Sequence, residues 1–104
     1  MKYYDDNIVK EVWRRYVGTS RFKKDIAGAW MDYDKYGETK SCGEGWEIDH
    51  IKPVSAGGSD DITNLRPLQW ENNRSKSDNY PRWESVVSST GTTNIYRRQC
   101  WKIS

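Results

Sequence analysis

The sequence predicts a small α+β protein, one domain of 104 residues, and three observations predict it. Apolar residues fall at helical spacing between Asn7 and Val17. They alternate at strand spacing from Trp46 to Ile51, and Pro53 ends or bends that run. A glycine-bearing loop then leads to a short extended stretch, Asn64 to Gln69, and a short helix, Trp70 to Lys76. Core material is scarce, since hydrophobic residues make up 35% of the chain and mean hydropathy is −1.04. Six Trp and seven Tyr compensate, because each aromatic buries far more area than an aliphatic side chain.

Each element has its own warrant. In the first helix Ile8, Val9, Val12, Trp13 and Tyr16 form one stripe, Asp5 or Asp6 caps the start, and Gly18-Thr19-Ser20 ends it. The stripe is expected to pack on the core rather than to form a partner groove. Residues 25 to 45 read as irregular, with one short strand near Ala27 to Asp34 and breaks at Tyr36-Gly37 and Gly43-Glu44-Gly45. In the central strand Trp46, Ile48 and His50 share one face, while Glu47, Asp49 and Ile51 share the other. Val54 to Asp61 is a loop in which Gly57-Gly58 permits backbone angles that other residues avoid. Beyond Asp78 come Pro81, Trp83, a Ser/Thr/Gly run from Ser88 to Thr93, and a last strand over Asn94 to Ile103. The domain therefore divides into an N-terminal helical part (1–24), a core (46–78) and a C-terminal extension (81–104), with no internal repeat.

Charge alone does not name a partner. Seventeen basic residues against fifteen acidic leave a net charge of +2. Basic side chains lead in two places, Arg14, Arg15, Arg21, Lys23 and Lys24 near the N-terminus and the segment from residue 61 onward. No stretch approaches a membrane span, and Met1 to Asp6 lacks the apolar region of a signal peptide, so a soluble, cytoplasmic protein without a membrane partner is expected. Cys42 and Cys100 are far apart and form no Cys-x-x-Cys pair, which leaves a zinc ribbon or knuckle unsupported. A disulfide and two free thiols both remain open, the thiols being the simpler reading in a reducing cytosol.

The chemistry sits in the middle of the chain. Strand, loop, strand and short helix bring residues near 49–50, 64 and 73 together if the helix packs back across the hairpin. Asp49 and Asn73 then offer hard oxygen ligands of the kind magnesium or manganese prefers, with positions left for water and a substrate phosphate. His50, the single histidine, is the natural base, since an unperturbed imidazole titrates near pH ~6.5. One ring nitrogen must be held by an acceptor, for which a backbone carbonyl in the loop would serve. Asn64 carries both donor and acceptor groups and suits pinning that loop. Asp49 and His50, as strand neighbours, point opposite ways, and a bend or a metal-bound water is needed for them to act together. Lys52, Arg66, Arg74 and Lys76 are the candidates for phosphate contacts. Taken singly, each feature is more often structural than catalytic, and the ordered combination carries the argument.

The stretch from Trp46 to Asp78 resembles the HNH endonucleases, on the residues Asp49-His50-Ile51-x-Pro53, Gly57-Gly58, Asn64-Leu65 and Asn73-Arg74-x-Lys76-Ser77-Asp78. It is most similar to small stand-alone HNH proteins of bacteria and phages, and its ending to the HNH domain of RNA-guided nucleases. The resemblance covers about a third of the chain. It implies a ββα-metal core, with His50 as general base, Asp49 and Asn73 as metal ligands, and Asn64 as the residue that organises the loop. It also implies in-line hydrolysis of DNA around one divalent metal, magnesium or manganese before nickel or zinc. Many relatives brace the hairpin with a zinc held by four cysteines. This chain lacks those cysteines, so no structural zinc is expected and bracing falls to packing by Trp46, Trp70 and Trp83. Where relatives often carry His, this chain has Gln69. The alternatives are a non-catalytic nucleic-acid-binding module of the same fold and a part of a larger phage or defence complex that cleaves only with its partner. RNA stays open beside DNA, because such a site reads phosphate and metal rather than sugar.

Overall fold

The computed structural model describes residues 4–97, so Cys100 and the end of the strand expected over Asn94 to Ile103 lie outside the described residues. Helix α1, Asp6–Tyr16, starts where Asp5 Oδ1 accepts from the Ile8 amide at 2.9 Å. That capping bond satisfies one of the four amides left without partners at a helix start. The helix ends where Gly18, at φ 94°, donates to the Arg14 carbonyl, a left-handed position that costs glycine nothing. Its buried residues, Val9, Val12 and Trp13, are the stripe expected from the sequence.

Residues 22 to 32 are more ordered than the sequence suggests. They form an antiparallel hairpin of β1, Phe22–Lys24, and β2, Trp30–Asp32. Its turn is organised by Asp25, whose Oδ1 accepts from the amides of Ala27 and Ala29, both at 2.9 Å. Strand β3, Trp46–His50, pairs antiparallel with β4, Leu65–Gln69, in the register Trp46 to Gln69 through His50 to Leu65. Pro67 lacks an amide hydrogen, and it is tolerated because this sheet has only two strands. Helix α2, Trp70–Lys76, follows directly and packs back on β3. The Ser/Thr-rich run gave no strand signal up to Thr93, yet β5, Val87–Thr90, and β6, Thr93–Tyr96, form a third hairpin.

The β3–β4 hairpin has two unlike faces. One presents Trp46, Ile48 and Leu65 to Val9, Val12 and Trp13 of α1 and to Met31 of β2. Trp46 is fully buried, its ring 4.9 Å from those of Trp13 and Tyr36. At ~25 cal/mol per Å² and ~150–250 Å² per large aromatic, its burial contributes about 4–6 kcal/mol. The other face presents Glu47 and Asp49 to α2.

The bracing differs from the tryptophan packing expected. Trp46 is in the core, but Trp70, which donates to the Lys40 carbonyl, and Trp83 are both half-buried outside the core cluster. A buried polar clasp does the fastening instead. Asp25 Oδ2 accepts from the Gln69 amide at 3.0 Å and from Asn72 Nδ2 at 3.1 Å. Asn72 Oδ1 accepts from the amides of Val86 and Val87, which joins α2 to β5. Gln69 caps α2, its Oε1 accepting from the amides of Glu71 and Asn72, while its Nε2 donates to the Gly43 carbonyl. The Asp25, Gln69 and Asn72 side chains are all buried and partnered, and such a network specifies one arrangement of the segments it joins. Gln69 is therefore a structural side chain.

Candidate active site

Asp49 and His50 occupy the end of β3. Although neighbours on a strand point to opposite faces, both line one cleft of about 320 Å³, together with Pro53, Val54, Ser55, Ser77 and Asp78. The strand ends at His50, where the regular pleat that would separate the two side chains stops. Between them lies Lys76, whose Nζ is 3.1 Å from Asp49 Oδ1 and donates to the His50 carbonyl at 3.0 Å.

The loop from Ile51 to Asn64 is held by one side chain. Asn64 Oδ1 accepts from the Lys52 amide at 2.9 Å, and its Nδ2 donates to the carbonyls of Lys52 at 3.0 Å and Ser59 at 2.7 Å. A carboxamide pairs with a peptide in this two-sided way because it carries the same donor and acceptor. The glycines are required by contact: a Cβ on Gly58 would overlap the Lys52 carbonyl oxygen, and Gly57 has φ 92°. The loop so fixed carries Asp60, whose Oδ1 lies 2.7 Å from His50 Nε2. The acceptor on the ring is thus a carboxylate rather than the backbone carbonyl expected from the sequence.

Asn73 sits on the face of α2 toward β3, but its direct partner is Glu47. Its Nδ2 donates to Glu47 Oε1 at 2.9 Å, and Arg74 donates to Glu47 Oε2 at 3.0 Å. A carboxylate only accepts, so this contact sets which end of the amide faces Glu47. Among the described residues no donor reaches Asn73 Oδ1. Glu47 was placed on this face by the strand alternation, yet nothing in the sequence assigned it a role.

The four expected phosphate contacts divide into two pairs. Lys52 is exposed, and Arg74 is 49% exposed, its guanidinium over the Trp70 ring. Arg66 and Lys76 do not face solvent as phosphate contacts would. Arg66 is 14% exposed with Nε 2.8 Å from Asp49 Oδ2, and Lys76 is 1% exposed. Both are drawn inward because Asp49, 4% exposed, is a buried carboxylate that needs compensating charge. Helical spacing explains the result: Lys76 is three residues beyond Asn73 and so lies on the same face of α2.

Asp49 lines the cleft beside His50, whereas Asn73 stands outside that lining, against Glu47. No group of three or more His, Cys, Asp or Glu side chains gathers among the described residues. A metal here would rest on a carboxylate and a carboxamide, with water in the remaining positions, as magnesium favours. An ionised carboxylate has about four lone-pair sites, so the cations on Asp49 leave room for a further ligand bond. Asn73 Oδ1, which accepts from no donor among the described residues, would be the second hard oxygen. Cys42 is not part of this set: burial, with Glu71 beside it, pushes its thiol up and keeps it neutral.

Residues 35–79 match the family of HNH endonucleases. The chain carries an HNH endonuclease domain. The matched segment spans β3, the pinned loop, β4 and α2, and leaves α1, the β1–β2 hairpin and the β5–β6 hairpin outside it. The HNH match assigns a nuclease-type function, acting on nucleic acid, to this part of the chain. No curated protein and no solved structure matches the chain. Among the described residues no helix is long and apolar enough to cross a membrane.

Proposed function

We propose that this protein is a metal-dependent endonuclease that hydrolyses phosphodiester bonds in DNA, with His50 activating the attacking water. The observation that carries the reading is the shared cleft of Asp49 and His50, with α2 packed behind it. Asp49 and Asn73 would hold the divalent cation, magnesium or manganese, which would supply positive charge to the scissile phosphate and the leaving oxygen. His50 takes one proton from water as the water oxygen bonds to phosphorus. The bond from phosphorus to the leaving oxygen then breaks, and that oxygen is protonated from solvent. Asn64 acts through the loop, and Lys76 and Arg66 hold the Asp49 carboxylate in place. Lys52 and Arg74 contact flanking phosphates, which adds affinity without reading sequence.

The second reading, a nucleic-acid-binding module that does not cleave by itself, is favoured by one feature. Both oxygens of Asp49 are ion-paired, so a metal ion would share the carboxylate with Arg66 and Lys76, and their charge weakens its hold. The two readings separate on supercoiled plasmid, with magnesium, manganese, nickel or zinc compared against EDTA. Metal-dependent nicking or linearisation that falls ~10²–10⁴-fold in His50→Ala is expected, the usual contribution of a general base. Full activity in the variant would remove His50 from the mechanism. Plasmid binding without product under any metal would establish the module.

A further inference from the structure

A neutral imidazole carries one proton on its two nitrogens, and only the bare nitrogen can accept another. Which nitrogen is bare is decided by the partner of the other. Asp60 Oδ1 lies 2.7 Å from His50 Nε2, and a carboxylate accepts without donating. The proton therefore belongs on Nε2 and the lone pair on Nδ1.

The carboxylate is placed there by the loop. Asn64 Nδ2 holds the Ser59 carbonyl at 2.7 Å, directly before Asp60, and the Asn64 amide donates to the Asp61 carbonyl at 2.8 Å, directly after it. The other end of the contact is held as well. The His50 carbonyl takes Lys76 Nζ, and the Ile51 amide donates to the Asn64 carbonyl at 2.8 Å. Asn64 thus reaches His50 from both sides, through the backbone next to the histidine and through the segment that carries Asp60.

We propose that Asp60 is a positioning residue for the base: it fixes the Nε2-protonated tautomer of His50 and so assigns proton acceptance to Nδ1. The consequence for catalysis rests on the nuclease reading above. One O–H bond of the attacking water breaks, and its proton moves to Nδ1. The water oxygen bonds to phosphorus, the leaving oxygen departs, and both ring nitrogens are then protonated. Asp60 faces the imidazolium so formed and stabilises it, as the carboxylate partner of a catalytic histidine does elsewhere. The Asp60 side chain is 60% exposed, so its removal opens no hole in the core.

The single histidine makes the idea directly measurable, because a long-range ¹H–¹⁵N spectrum of the whole chain contains one imidazole. In the wild type, at a pH where the ring is neutral, Nε2 should carry the proton throughout. In Asp60→Ala both nitrogen shifts should move toward those of a free imidazole, and Asp60→Glu should restore them in part. In plasmid cleavage Asp60→Ala should lose roughly 10–100-fold in kcat, the usual effect of removing such a partner, with KM for DNA unchanged. Nitrogen shifts unmoved in Asp60→Ala would overturn the proposal. So would an increase in the metal concentration needed for half-activity with the shifts unmoved, since that would make Asp60 a metal ligand. A wild type that cuts nothing would sink the nuclease reading alone, and the spectra would still decide whether Asp60 holds the ring.

Discussion

The two faces of the β3–β4 hairpin are built from the same strands and are held together by opposite means. On one, Trp46, Ile48 and Leu65 meet α1 in a dry aromatic and aliphatic core. On the other, Glu47 and Asp49 meet Asn73, Arg74 and Lys76 of α2. Burial of apolar surface is favourable wherever shapes fit, so the first face needs only the right volumes. Burial of charge costs several kcal/mol per ion unless each ion is paired and hydrogen-bonded, so the second face tolerates no missing partner. The apolar cluster is on the α1 side and the candidate chemistry on the α2 side, with one alternating strand serving both.

The contrast can be tested by removing one residue from each face. Trp46→Ala should cost about 3–5 kcal/mol in urea unfolding, the range for deleting a buried aromatic. That is a large share of the ~5–15 kcal/mol by which a typical domain is stable. Cleavage by the variant should fall only in proportion to the unfolded fraction. A loss below ~1 kcal/mol would show that the aromatic cluster is not the main anchor. Lys76→Met keeps similar length and volume while removing the charge. It should cost about 3 kcal/mol, the low end for breaking a buried pair, because Arg66 retains its hold on the second oxygen of Asp49. Its cleavage should drop further than its stability explains, measured at a temperature where the variant is folded. A variant more stable than the wild type and fully active would mean that the charged face packs like any other interface.

The apolar face was legible in the sequence because periodicity reports burial directly. Val9, Val12 and Trp13 at helical spacing and Trp46 and Ile48 at strand spacing fall on the faces expected of them. The polar face was legible in position and not in pairing. Alternation put Glu47 and Asp49 on one side, but which of them meets Asn73 depends on how far α2 slides along β3, and spacing does not encode that. Lys76 and Arg66 looked like surface cations because an isolated Lys or Arg usually is one, and only the buried carboxylate between them draws them in. Strands β2 and β6 overlap stretches expected to be extended, near Ala27 to Asp34 and from Asn94 onward, but their partners β1 and β5 were missed because they are three or four residues long and show no alternation of burial. Asp25 and Asn72 gave no signal at all. Their partners are 44 and 47 residues away along the chain, a separation that no local pattern records.

The smallest expected effect tests whether the apolar side also depends on charge at its rim. Asp32 is buried beside that core, and Arg21, which is mostly exposed, donates to both of its oxygens at 2.9 and 3.1 Å. The hydrogen bonds from Arg21 hold the Asp32 carboxyl below its ordinary value of 3.8, against the upward pull of its own burial. A carboxyl with a depressed folded-state pKa stabilises the protein above its unfolded value and stops doing so as pH falls through the folded one. The stabilising effect of Asp32 should therefore be complete at neutral pH and fade below pH 3.8. Asp32→Asn should be less stable than the wild type at neutral pH, and the gap should narrow as acid is added. Taking the difference between the two proteins at each pH removes the contribution of every other carboxyl. A gap that stays constant from pH 7 to the acid limb would show that Asp32 serves the fold through shape and neutral hydrogen bonds. The charged clasps would then be confined to the α2 face, and the contrast between the two sides of the hairpin would be sharper than the Arg21 contact suggests.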